Sequence, residues 1–366
     1  MEIIEKNILN KIIYKKSMKL KYFKNLDGLR AIAAIGVVIA HFFSIERLPN
    51  LPQIVKIAQL GNSGVSLFFV LSGFVITRIL LNTVDGKNYF LSFYGRRTLR
   101  IFPLYYFALL CYNYLPYLLN IHPTFGSFDK QWYHYLYLQN FARTFNWDFQ
   151  GPGHYWSLAV EEHFYLIWPT LVFLANTVNK NRLLIISILL IVFSFVLRFV
   201  MLGNNYEIDT FTFTRLDQLA LGCILAILEY KGILEKINKN IFLSLIFIGL
   251  ILVAYTGTFS YFNLNLYKHN AYGILYFGLI GYCILSKQTI LFNRFLTSKV
   301  MQFLGKISYG IYVWHILAML FLTHYFNSIN ILFDFGLMLL ITIIMSTLSF
   351  YLIENKFLQL KKYFKY

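Results

Sequence analysis

The chain has 366 residues, of which 58% are hydrophobic, 19% aromatic and 13% charged, against about 45–50% apolar and about 25% charged in a soluble domain. A water-soluble core cannot hold that excess, and the composition excludes a disordered, collagen-like or disulfide-stapled protein. The net charge of +17 would point to nucleic acid in a soluble chain. Here the basic residues sit in short segments between apolar runs of about 18 to 20 residues, the length that crosses a bilayer as helix, so no nucleic-acid partner is expected.

Residues 1–25 carry seven lysines without an apolar stretch leading to a small-residue cleavage site, so a basic N-terminal segment and no cleaved leader are expected. Apolar segments follow at roughly 29–45, 63–82, 101–119, 156–175, 183–202, 213–229, 241–259, 270–286, 303–325 and 331–353. They predict an all-α integral membrane protein, a bundle of about ten transmembrane helices. Of the 33 Lys and Arg residues, 24 fall in the N-terminal segment, the tail and alternate loops, five in the intervening loops and four within or at the ends of spans. Because positive charge is retained on the cytoplasmic side of short loops, this asymmetry predicts that both termini are cytoplasmic.

The long connection 120–155, with His122, His134, Asp148 and the turn-forming Gly151-Pro152-Gly153, is expected to cap the outer face. Residues 354–366 read as a short basic cytoplasmic tail with no further domain, which leaves 26–353 as a single membrane domain. Cys111, Cys223 and Cys283 lie far apart in apolar stretches without a Cys/His pair; they are read as packing residues, and no metal site is expected. No P-loop, zincin or nucleophile-elbow motif occurs.

Function in such a protein is most legible in ionisable groups inside the spans, since each is costly there and must face the bundle interior or water. In the first span Arg30 and His41 are 11 residues apart, about three turns, and project from one face. Arg30 either anchors headgroups beside Asp27 or acts in function; His41 at mid-membrane suits proton transfer near neutral pH. Arg97 and Arg100 share a helical face at the cytoplasmic side, a spacing suited to phosphate or to lipid headgroups.

In the fourth span Ser157, Glu161 and Tyr165 share a face, whereas Glu162 goes with Leu158, Leu166 and Pro169. Glu161 is therefore the carboxylate expected in a polar cavity, unless it pairs structurally with Arg198 or Arg215. Counted from the span ends, His41 and Glu161 lie about 12 Å and about 8 Å below the outer surface, close enough in depth to share a cavity. Arg215 and Asp217 do not face one another and are expected to pair with other helices. Gly61 to Gly64 and Ser72-Gly73 supply small residues for close helix approach, and Ser72 has no base beside it in sequence. Tyr312 and His315 are expected to serve packing.

Leu26-Asp27-Gly28-Leu29-Arg30 with His41, Gly64-Val65-Ser66-Leu67-Phe68-Phe69-Val70-Leu71-Ser72-Gly73-Phe74, Arg97-Thr98-Leu99-Arg100, Trp156-Ser157-Leu158-Ala159-Val160-Glu161-Glu162, Arg215-Leu216-Asp217 and Ser308-Tyr309-Gly310-Ile311-Tyr312 occur in order. Taken together they resemble the acyltransferase family 3 of integral membrane proteins. The resemblance implies a multi-pass protein of the bacterial plasma membrane, in contact with lipid. It would pass an acyl group, usually acetyl, from acyl-CoA to a hydroxyl of a cell-surface glycan or lipid-linked sugar.

It also implies functional roles for Arg30, His41, Arg97 and Arg100; combined with the depths above, it suggests His41 and Glu161 as the catalytic pair and the three arginines binding the CoA phosphates. Ser72, Glu162, Arg215, Asp217 and Tyr309 are then candidate substrate or structural polar residues. His163 departs from the family pattern, where Gln is frequent. The competing reading is a proton-coupled transporter, which also places His, Glu and Arg inside spans.

Overall fold

A computed structural model describes residues 21–44, 46–121, 126, 128–178, 181–258, 262–287, 289–326 and 330–366. Residues 1–20 of the basic N-terminal segment and His122 lie outside the described residues. Each of the ten apolar segments holds a long helix. These are α1 (Lys24–Phe42), α2 (Gly64–Thr83), α3 (Tyr89–Leu118), α4 (Trp156–Val178), α5 (Asn181–Gly203), α6 (Leu216–Tyr230), α7 (Lys239–Thr258), α8 (Phe262–Leu285), α9 (Ser308–Tyr325) and α10 (Ile331–Ser349). There is no β-strand among the described residues.

Among the described residues, six helices qualify by length and apolarity alone to cross a membrane, or seven if the Lys299–Lys306 helix and α9, bent by 71°, count as one. The others fall short for visible reasons. Helix α6 has only 15 residues, α8 carries Lys268 and His269, and α3 carries three arginines and two prolines. Helix α3 also departs from the expected 101–119: it begins at Tyr89 and runs for 30 residues, because nothing between Gly86 and Pro103 interrupts helical backbone. Arg97 and Arg100 therefore sit on a helix, as their shared face required, and that helix is continuous with the apolar segment after them.

Small residues set the closest approaches. A Cβ on Gly73 would collide with the Leu219 backbone of α6, one on Gly222 with the Val70 backbone of α2, and one on Gly64 with the Ala33 backbone of α1. Without a hydrophobic driving force between helices in lipid, backbone proximity of this kind is what gains dispersion and fixes crossing geometry. It locks α1, α2 and α6 into a three-helix unit.

The segment 120–155 folds over one end of the bundle, which we call the loop end. Tyr105 of α3 donates from its hydroxyl to the His134 carbonyl at 2.7 Å, and the Gln139 side chain donates to the Tyr155 carbonyl at 2.8 Å. Gly151, at φ 96°, lets the chain turn against His134. Burial pushes the His134 imidazole down to about 4, opposed by its hydrogen bond with the Gln150 carbonyl at 2.9 Å. At the opposite, basic end, the tail is docked rather than free: Ser92 donates to the Lys365 carbonyl at 2.6 Å and Arg96 to the Phe364 carbonyl at 3.1 Å. The Phe364 ring lies against Gly95.

The Gly73 contact gives a direct test. Gly73→Ala is expected to lower the thermal midpoint in detergent by the equivalent of about 1–3 kcal/mol, the usual cost of overpacking. Gly203→Ala, where nothing lies within 4 Å, is the control and is expected to leave the midpoint unchanged or raised.

Candidate functional site

Two polar cavities lie back to back in the bundle. The basic-end cavity, of about 110 Å³, is lined by Arg30, Ser72, Arg97, Arg100, Glu161 and Glu162, with Tyr165, Tyr309 and Tyr312 closing it. Arg30 pairs with Asp27 at 2.7 Å, as expected one helical turn apart, and Tyr22 contacts the same carboxylate. Ser72 contacts the Tyr165 hydroxyl, which donates to Glu161 at 2.9 Å. Serine, tyrosine and carboxylate thus form one chain of polar contacts from α2 to α4.

Arg97 lies over the Tyr165 ring at 5.2 Å, and the Tyr309 hydroxyl donates to the Ile101 carbonyl at 2.9 Å. Glu162, expected to face away, lines the same cavity as Glu161, and its Oε1 has no hydrogen-bond partner among the described residues. The cavity mouth is broad enough to take two adjacent positions of α4, about 100° apart round the helix.

The loop-end cavity is larger, about 410 Å³, and its wall includes His41, Ser66, Arg143, His154, Arg215 and Lys268. His41 and Glu161 therefore do not share a cavity. Similar depth did not bring them together, because they face opposite sides of a wall that includes Tyr312, which lines both spaces. Tyr312 is pinned there: its hydroxyl donates to the His154 carbonyl at 2.6 Å and lies 2.6 Å from Ser157 Oγ.

On the loop-end side His41 Nδ1 is 2.8 Å from His315 Nε2, with the two ring planes 10° apart and centroids 5.0 Å apart, so the rings meet edge to edge, nitrogen to nitrogen. His154 meets His315 edge-on at 4.7 Å. Reading His315 as packing missed this pair. The criterion that singled out His41, a histidine amid apolar residues of a span, applies equally to Trp314-His315-Ile316 and would have found it.

Arg215 finds partners on other helices, as expected. It donates to Ser66 at 3.1 Å, to Gln218 at 3.0 Å and to His269 Nδ1 at 2.5 Å. His269 Nε2 in turn lies 2.7 Å from Asp209. Burial pushes Asp209 up, yet the hydrogen bond from His269 and the charges of Lys268 and Arg215 outweigh it and hold the carboxyl below its ordinary range.

Asp217 lines neither cavity. It pairs with Arg198 at 2.9 Å, both side chains at most 1% exposed, and Arg198 also donates to the Thr214 carbonyl and to Asn270. Glu161 therefore has neither of the arginine partners considered for it. His163 lies apart as well, 2.7 Å from the Thr212 hydroxyl. Cys111, Cys223 and Cys283 are free thiols.

A helical membrane domain whose polar residues converge on two opposed cavities is the class this architecture defines. The chain belongs to the acyltransferase family whose profile, described as "Acyltransferase domain", matches residues 23–354. It is similar to the O-acetyltransferase OatA of Staphylococcus aureus strain NCTC 8325 / PS 47, with 31% identity over 357 residues, 92% of this chain and 57% of that protein. It is also similar to the putative O-acetyltransferase SACOL0978 of Staphylococcus aureus strain COL, with 30% identity over 377 residues, 94% of this chain and 58% of that protein. The chain thus spans somewhat over half the length of these relatives. No solved structure matches it.

The Arg198–Asp217 pair yields a stability prediction independent of function. Asp217→Asn leaves a guanidinium uncompensated in the bundle interior, for which about 3–5 kcal/mol of destabilisation is expected, read as a large fall in the thermal midpoint. Glu162→Gln, at a carboxylate oxygen with no partner, is expected to leave the midpoint near wild type.

Proposed function

We propose that the chain is an acyl-CoA-dependent O-acyltransferase that moves an acyl group, most simply acetyl, to a hydroxyl of a cell-surface glycan or lipid-linked sugar. One observation carries this reading: three arginines converge on the basic-end cavity while His41, on the same helix as Arg30, faces the other cavity across Tyr312. In this proposal all ten long helices span the bilayer with both termini in the cytoplasm, and the membrane is the bacterial plasma membrane. The basic-end cavity then opens toward cytoplasmic acyl-CoA and the loop-end cavity toward the outer side.

Among the described residues neither Arg97 nor Arg100 is in a direct ion pair with a carboxylate, so their forks can turn to phosphate oxygens. Arg30, tied to Asp27, completes the positive mouth. From Arg30 to His41 is about 16 Å along the helix, a span for the extended arm of the donor. Side-chain rotation of Tyr312 would open the wall and let the thioester reach His41.

A sugar hydroxyl is too weak an acid to attack unaided. His41 takes its proton as the oxygen bonds to the acyl carbon, the carbon–sulfur bond breaks, and the departing thiolate recovers a proton. Glu161, held by Tyr165, faces the donor side and orients that arm.

The test is transfer of labelled acetyl from acetyl-CoA by purified protein in detergent. His41→Gln is expected to lower turnover by about 100-fold or more, the usual contribution of a general base, with unchanged acetyl-CoA binding. Arg97→Ala and Arg100→Ala are expected to raise the KM for acetyl-CoA and its salt sensitivity, with Lys restoring only part. Wild-type turnover in His41→Gln would defeat this mechanism. Substrate movement without transfer would favour the proton-coupled transporter, which a closed wall between two polar cavities also suits.

Topology is checked separately by cysteine labelling of intact cells in a background without the native cysteines. Lys87→Cys is expected to be protected until the membrane is opened, and Lys130→Cys to label from outside; the reverse pattern would invert the proposed orientation.

A further inference from the structure

The pairing of His41 with His315 leads to an assignment of protons. His315 Nδ1 lies 2.7 Å from the Tyr312 carbonyl and 3.2 Å from the Ile311 carbonyl. A carbonyl only accepts, so this nitrogen carries the hydrogen. A neutral imidazole has one N–H, which leaves His315 Nε2 with a lone pair. His41 Nδ1, 2.8 Å away, must then be the donor. The hydrogen of His41 is therefore on Nδ1, and its Nε2 is bare.

The alternative, a doubly protonated His315, would bury a cation. His315 is 2% exposed, with the His154 ring edge-on to it and the His41 ring meeting it nitrogen to nitrogen. No carboxylate forms an ion pair with it among the described residues. An unpaired charge in that setting is far costlier than the neutral form.

We infer that His315 is a positioning residue for acyl transfer: by accepting from His41 Nδ1–H it holds His41 in the one tautomer whose Nε2 lone pair faces the loop-end cavity. The inference rests on the role proposed above for His41. His315 is behind His41 and does not line that cavity, so it touches no substrate.

Its effect operates through the shared hydrogen bond. When His41 Nε2 takes the hydroxyl proton, the positive charge spreads over the ring, and the Nδ1–H bond to His315 becomes charge-assisted and stronger. A carboxylate does the same for histidine in hydrolase triads; a neutral imidazole does it here without a buried anion. The anchor is rigid because the Ile311 and Tyr312 carbonyls that orient His315 belong to the α9 backbone one turn before it, so rotation of the Tyr312 side chain leaves them in place.

The tautomer can be read without activity. Protein labelled with 15N-histidine in detergent is expected to show His41 as the Nδ1–H form, assigned by loss of its signals in His41→Gln. Removing the acceptor in His315→Leu should release His41 into a mixture of tautomers. Finding wild-type His41 as the Nε2–H form overturns the inference whatever the kinetics.

In the transfer assay His315→Leu is expected to lower kcat about 10- to 100-fold, as loss of a ligand-orienting partner does, with the KM for acetyl-CoA unchanged. His315→Gln, whose amide can donate to the Tyr312 carbonyl and accept from His41, is expected to return kcat to within a few-fold of wild type. A dead His41→Gln beside a fully active His315→Leu removes the positioning role and leaves the base in place. Full activity in His41→Gln removes the base and the positioning role together. If His315→Leu does not fold, His315→Gln and the wild-type spectrum decide: a well-folded His315→Gln with wild-type donor affinity and a 100-fold loss of kcat would overturn the inference.

Discussion

The ion pair between Arg198 and Asp217 joins α5 to α6 where neither residue can reach water, and much of the architecture follows from the need to satisfy charges in that setting. A guanidinium in a bilayer-spanning bundle has several donors to place, and each unpaired one is expensive. Arg198 places its own on Asp217, the Thr214 carbonyl and Asn270 of α8. Arg215, just before α6, reaches Ser66 of α2 and His269 of α8. Three helices far apart in sequence are thereby brought to one level, and the short α6 is held at its start by these arginine contacts.

Glycine contacts then decide what α2 can display. With Gly73 and Gly64 pressed against α6 and α1, the helix has no freedom to rotate, so Ser66 stays on the loop-end cavity and Ser72 on the basic-end cavity. They are six residues apart, about 9 Å of rise. The same division runs along α1, where Arg30 and His41 face different cavities. Two opposed sites on the same pair of helices require a wall between them, and Tyr312 supplies it.

The helices were legible because their signal is local. Runs of apolar residues marked ten segments, and each holds a long helix. The Arg30–Asp27 pair follows from adjacent turns, and the convergence of Arg97 and Arg100 on one cavity follows from their spacing. The relation between His41 and Glu161 was not legible. Counting residues from a span end gives depth along the membrane normal and says nothing of direction round the bundle, so two residues at similar depth were assigned one space.

Glu162 shows the same limit on a smaller scale: its helical face is readable, but the width of the cavity it meets is set by α3 and α9. The His41–His315 and Asp209–His269–Arg215 contacts join residues 274, 60 and 54 positions apart, and no pattern within one segment encodes such pairings. The docked tail is a further case, since its partner is an unremarkable glycine, Gly95.

The placement of His41 across the wall from Arg30, Arg97 and Arg100 has a chemical reason. A general base beside three guanidinium groups would face a field that opposes its protonation, because an imidazolium there is a fourth positive charge. In the proposed reaction, separating Arg30, Arg97 and Arg100 from His41 by Tyr312 and a helix length of about 16 Å keeps the field of these three off the base, while the cations on its own side, Arg143, Arg215 and Lys268, share that cavity with Glu207 and Asp209. The same separation, in the proposed reaction, keeps water and hydroxyl groups of the loop-end cavity from a thioester held at the arginines, so that hydrolysis does not compete with transfer. A single merged cavity would give up both advantages, which is why the tyrosine wall belongs to the chemistry proposed for the site.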